Sequence, residues 1–73
     1  MERQPVSSSN VLSVGYDPDE RTTEVEFKGG SVYRYHDVEP HEHEALVNAD
    51  SIGSHLHKHF IRAGTKHWVE RVG

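Results

Sequence analysis

Seven histidines in a chain of 73 residues raise metal binding and acid–base catalysis as the first chemistries to weigh. His55 and His59 stand at i and i+4, a spacing that brings two imidazoles to one helix face and can chelate zinc. The pattern stops short of a site. In His43-Glu44-Ala45-Leu46-Val47 a valine stands where the HExxH metalloprotease helix needs its second histidine. The pairs His41/His43 and His55/His57 point to different faces of a helix, and with no cysteine in the chain there is no thiolate to complete a structural site. Neither a metal nor a cofactor is expected. Ser7, Ser8 and Ser9 lack a nucleophile elbow and a positioned base. The carboxylate pairs Asp17/Asp19 and Glu24/Glu26 look solvent-facing, so nothing would push their pKa values apart. Gly29-Gly30 has no following helix and no phosphate-loop lysine. No acid, base or nucleophile set emerges, and the chain reads as non-catalytic.

What remains is recognition. The net charge of −4 hides a split: residues 1–50 carry four Lys or Arg against eleven acids, giving −7, whereas residues 51–73 carry Lys58, Arg62, Lys66 and Arg71 against Glu70 alone, giving +3. An acidic face suits a cationic protein surface better than a polyphosphate. Protonating all seven histidines would carry the chain from −4 to +3, so binding through the acidic surface should weaken as pH falls through the histidine range. Tyr33 and Tyr35 alternate on one strand face, where they are either core or, if exposed, a stacking platform for single-stranded RNA.

Elements able to hold these residues follow from periodicity. Residues 1–9, with Pro5 and the serine run, read as a flexible polar arm, followed by a single domain over 10–73. Leu12, Val14 and Tyr16 alternate as a first strand, and Asp17-Pro18-Asp19-Glu20-Arg21 reads as a turn. Thr23 to Lys28 places Val25 and Phe27 on one face and Glu24, Glu26 and Lys28 on the other. Gly29-Gly30 suits a type I′ turn into Ser31 to His36, so residues 23–36 should form a hairpin. Pro40, with acids Glu42 and Glu44, suits the first turn of a helix. Ser51 or Asp50 can cap a second helix, in which Ile52, Leu56 and Phe60 recur every four residues with Ile61 alongside, and Gly64 is a plausible stop. Trp68, Val69 and Val72 fit an edge strand, a helix extension or a packed tail. The fold class expected is α+β, a three-stranded antiparallel meander packed by one or two C-terminal helices. No apolar run reaches the roughly 18 residues of a membrane span, and nothing resembles a signal peptide, which makes a cytoplasmic protein the expectation.

Val6-Ser7-Ser8, Val14-Gly15-Tyr16-Asp17, Val25-Glu26-Phe27, Gly30-Ser31-Val32-Tyr33-Arg34-Tyr35, Ala49-Asp50-Ser51-Ile52-Gly53 and Ile61-Arg62 occur in this order, and together they resemble the KTSC domain family. The family is named for the C-terminal domain of some lysyl-tRNA synthetases and includes free-standing bacterial and phage proteins. Glu39, Ile52 and His57 depart from its usual pattern. A free-standing acidic chain of this length is also similar to small phage transcription regulators. That likeness implies binding to the largest subunit of bacterial RNA polymerase, with inhibition of initiation and promotion of antitermination. The contact surface expected for a monomeric protein-binding module is the arm Val6, Ser7, Ser8, Ser9 and Asn10, with Glu24, Glu26 and Arg34 on the solvated sheet face. The alternative, implied by the synthetase connection, is an RNA-binding accessory domain using Tyr33, Tyr35, Lys58, Arg62, Lys66 and Arg71.

Overall fold

The computed structural model of the protein describes residues 2–61 and 67–73. In chain order its elements are β1 (Arg3–Pro5), β2 (Val11–Asp17), β3 (Thr22–Phe27), β4 (Val32–Tyr35), α1 (Pro40–Val47), α2 (Ile52–Leu56), a π-helical turn (His57–Ile61) and β5 (Val69–Arg71). The strands form one antiparallel sheet in the order β1-β2-β3-β4-β5. The helices cover one face of it.

The α+β class stands, but the sheet has five strands, not three. The two additional strands are both edges of three residues. Neither has enough length to show period-two alternation, so pairing to a neighbour defines them. Residues 3–5, expected in a flexible arm, pair with β2 through Arg3↔Gly15, Gln4↔Val14 and Pro5↔Ser13. Of the three fates open to Trp68, Val69 and Val72, an edge strand is the one adopted.

β2 departs from simple alternation. Val11 lies opposite Phe27 while Ser13 lies opposite Glu26, so Leu12 is one extra residue in β2. This bulge lets Val11 and Val14, three positions apart, both reach the interior, and it turns Leu12 out to 42% exposure. The expected grouping of Leu12 with Val14 and Tyr16 therefore fails at Leu12. The β3–β4 hairpin is present, but its turn is not type I′, which needs two positive φ values. Gly30 alone has one, at 97°, and its N–H donates to the Phe27 carbonyl at 2.9 Å. Lys28 and Gly29 thus sit centrally in an ordinary turn closed by a left-handed glycine. The β2–β3 turn forms as its aspartate suggests, with Asp17 Oδ1 accepting from the N–H groups of Asp19 and Glu20.

Pro40 occupies the first turn of α1, and Glu39 and Glu42 form a reciprocal capping box. Arg21 reaches across from the β2–β3 turn to Glu39 at 2.6 Å, tying the helix entry to the sheet. Ser51 caps α2 by accepting from the Ser54 N–H. Ile52, Leu56 and Phe60 are all buried, against Val11, Val14, Val25, Tyr35, Val38 and Leu46. Each such side chain contributes roughly 1.5–3 kcal/mol by leaving water. Ile61, expected alongside that stripe, is exposed because it directly follows Phe60, and adjacent residues are turned by about 100° around a helix axis, away from the face that Phe60 buries. Gly64 lies outside the described residues.

Candidate functional site

Register places one charged row across the outer face of the sheet, the side away from the helices. Arg3 pairs with Gly15, Gly15 with Glu24, Glu24 with Arg34, and Arg34 with Glu70. Side chains directly opposite one another share a face, so all five strands contribute to a row of alternating sign, interrupted only by Gly15. That glycine is structurally required: a Cβ there would stand 2.6 Å from the Glu2 carbonyl oxygen and 3.0 Å from Arg3 Cγ. Its bare surface lets Arg3 cross β2 and donate to Glu24 Oε1. Arg34 Nη2 donates to Glu24 Oε2 from the other side at 2.9 Å.

Glu24 is accordingly only 6% exposed, which overturns the expectation that it is displayed to a partner. Burial alone would raise its pKa, but hydrogen bonds and charge from Arg34 and Arg3 outweigh that and lower it. Arg34 spends its charge in the same triad. Glu26, half-buried, accepts from Ser13 Oγ at 3.0 Å, so it too is engaged within the sheet.

The segment expected as a flexible contact arm is anchored instead. Val6 packs against the core, and its N–H donates to the Leu12 carbonyl at 3.1 Å. Ser8 Oγ accepts from the N–H groups of Asn10 and Val11, and the Asn10 carbonyl accepts from Lys28 N–H. Ser7, Ser9 and Asn10 stay exposed, beside the start of α2. Ser9 and Asn10 border an open polar cleft of about 300 Å³ shared with Ser51, Ser54 and Lys58. The paired serines and the Ala49–Gly53 segment, remote in sequence, therefore meet in space.

The two tyrosines expected as an RNA-stacking platform do not face the outer side of the sheet. Tyr33 and Tyr35 lie opposite Val25 and Thr23 on the helix side. Tyr35 is buried edge-on against Phe60 at 5.9 Å, and burial, with a smaller contribution from Tyr33, pushes its phenol up to about 12. Tyr33 is half-buried against Phe27 at 5.7 Å. Of the basic residues considered with them, Lys58 and Arg71 are exposed on different elements, and Arg62 and Lys66 lie outside the described residues.

The histidines are distributed among several roles. His43 stacks on Tyr16 at 4.7 Å, faces Thr23 Oγ1 through Nδ1 at 3.1 Å, and has its pKa lowered by burial. His55 and His59 approach to 4.4 Å between ring centroids. Among the described residues no group of three or more His, Cys, Asp or Glu is arranged to hold a metal ion, and no helix is long and apolar enough to cross a membrane.

Sequence reasoning missed the open end of the sheet. His36 stacks on Trp68 at 3.6 Å with planes 8° apart, and His36 Nε2 meets Glu70 Oε1 at 2.9 Å. Trp68 nevertheless remains 60% exposed, with Val69 and Val72 also open. The signal in the sequence was the Trp68-Val69-Glu70-Arg71-Val72 run itself, apolar at its ends and charged at its centre.

This architecture is that of a small α+β domain with a five-stranded antiparallel sheet backed by two helices. The chain belongs to the KTSC domain family, whose model matches residues 7–63. The crystal structure of a KTSC domain protein from Yersinia pestis is similar, with a TM-score of 0.83 and 38% identity over 99% of this chain and 97% of that one. An uncharacterized protein of Stutzerimonas stutzeri is 41% identical over 68 residues, 93% of this chain and 96% of its own length. A protein of Tsukamurella paurometabola is 42% identical over 50 residues, 68% of this chain and 75% of its own.

Proposed function

We propose that this KTSC domain is a non-catalytic module that binds another protein, with β5 and the adjoining outer face as its contact surface. One observation carries the reading: Trp68 and Val72 are exposed on the same outer face as an acid, Glu70, on the strand at the edge of the sheet, and Val69 is exposed on that strand's other face. Exposed apolar side chains grouped on so small a domain favour a protein partner over a phosphate backbone. The inward tyrosines and the net charge of −4 weigh in the same direction. Bacterial RNA polymerase, through its largest subunit, is the partner suggested by the likeness to phage regulators, with inhibition of initiation and antitermination as the consequence. The contact surface moves, however, from the Val6–Asn10 segment and Glu24 to the opposite edge.

The test sets purified RNA polymerase and tRNA side by side against the intact domain. Retention of polymerase that is weakened by Trp68→Ala supports the reading. Binding to tRNA that falls steeply with salt, with polymerase not retained, would replace it with the RNA-binding alternative.

A further inference from the structure

We propose that β5 receives an extended cationic segment of a partner protein as an added strand, with a Lys or Arg opposite Glu70 and apolar side chains opposite Trp68 and Val72. This deepens the protein-binding reading and rests on it.

On the side facing β4, the Trp68 carbonyl accepts from His36 N–H at 2.8 Å and Val72 N–H donates to the Val32 carbonyl at 2.8 Å. In an antiparallel ladder the bonding direction alternates. Val69 and Arg71 therefore turn their N–H and C=O groups to the open side, a template for main-chain pairing with another strand. β1, the other edge, offers less. Val6 N–H bonds inward to β2, so Arg3 and Pro5 face outward, and Pro5 has no N–H to give.

The side chains specify the occupant. Along the outer-face row the charges run Arg3, Glu24, Arg34, Glu70. Arg3 and Arg34 both commit to Glu24. The side chain of Glu70 is left 47% exposed, with the His36 ring as its contact, and the next place in the row suits a cation. Two residues along β5 in either direction on the same face stand Trp68 and Val72, both exposed. A strand laid there would cover them with its own apolar side chains. The cognate pattern is apolar, any, Lys or Arg, any, apolar. A second copy of this chain fits less well, because the two-fold register that pairs the whole of β5 with itself sets Glu70 against Glu70, and like charges directly opposite are unfavourable.

Trp68 is the only tryptophan, so its emission reports the edge directly. The probes are two capped heptapeptides with Val at the second and sixth positions and Thr elsewhere, one with Lys and the other with Glu at the centre. The Lys peptide should change Trp68 emission saturably and bind roughly tenfold more tightly than the Glu peptide. Glu70→Lys should invert that preference. Arg71→Pro, which removes an outward N–H without touching the bonds to β4, should abolish the response while leaving the far-ultraviolet circular dichroism unchanged. Equal binding of the two peptides, an unaltered preference in Glu70→Lys, or no saturable response at millimolar peptide overturns the proposal. If polymerase is retained equally by wild type and Arg71→Pro, the edge proposal falls and the protein-binding reading survives. If the peptide preference holds while polymerase is not retained, the edge stands and that partner falls.

Discussion

The two edges of the sheet are equally short, yet chemically opposite. β1 is closed: Pro5 withholds a donor on the outward side, and Arg3 reaches over Gly15 to the buried Glu24. β5 is open, with the outward backbone of Val69 and Arg71 unused by β4 and with Trp68 and Val72 exposed on either side of Glu70. An edge is an aggregation hazard unless blunted or used. One here is blunted by proline and an internal ion pair, and the other keeps its outward backbone groups open.

The largest expected effect comes from breaking what holds the closed side. Glu24→Ala leaves Arg3 and Arg34 facing each other without their shared carboxylate, and a broken, largely buried pair of this kind costs about 2–4 kcal/mol, measurable as a lower urea midpoint. Peptide binding at β5 should survive in molecules that remain folded. Gly15→Ala comes next, at about 1–3 kcal/mol, because its Cβ would meet the Glu2 backbone oxygen at 2.6 Å. The displacement should fall on β1, so the amides of β1 should lose hydrogen-exchange protection before those of β4.

Acid acts on the interior in the same direction. Burial lowers the pKa of His43, and burial together with neighbouring His59 lowers that of His55. The pKa of Glu24 is also lowered in the folded chain, against its own burial, by Arg34 and Arg3. For all three the unfolded chain binds the proton more readily. Their contribution is complete above the ordinary histidine value of 6.5, and stability falls as pH drops through the histidine range. A second decline begins below the ordinary glutamate value of 4.5. Thermal melts between neutral and acidic pH would show a monotonic fall, and a midpoint that rises on acidification would contradict this assignment. The smallest effect on stability belongs to the open edge: Trp68→Ala should alter the free energy of unfolding by no more than about 0.5 kcal/mol, while binding weakens.

Legibility followed sequence range. The hairpin of β3 and β4 and the Ile52, Leu56, Phe60 stripe could be read because alternation and helical spacing are local. The Leu12 bulge could not, since leucine at an alternating position looks like core, and only the competing demands of Val11 and Val14 turn it out. Glu24 appeared solvent-facing by period, as it should on an outer strand face. Its burial depends on Arg3, brought alongside through a glycine on an intervening strand, a contact no local window contains. β1 and β5 were hidden for the same reason: a strand of three residues is defined by its neighbour.

If β5 is the side that accepts a partner, amide hydrogen exchange will register it without any substitution. In the free protein the amides of Val69 and Arg71 should exchange quickly. With the Lys-centred heptapeptide at saturation they should become protected while the amides of β1 are unchanged. Protection that appears along β1 or the Ser7–Asn10 loop instead, with Val69 and Arg71 still exchanging at their free rates, would contradict it.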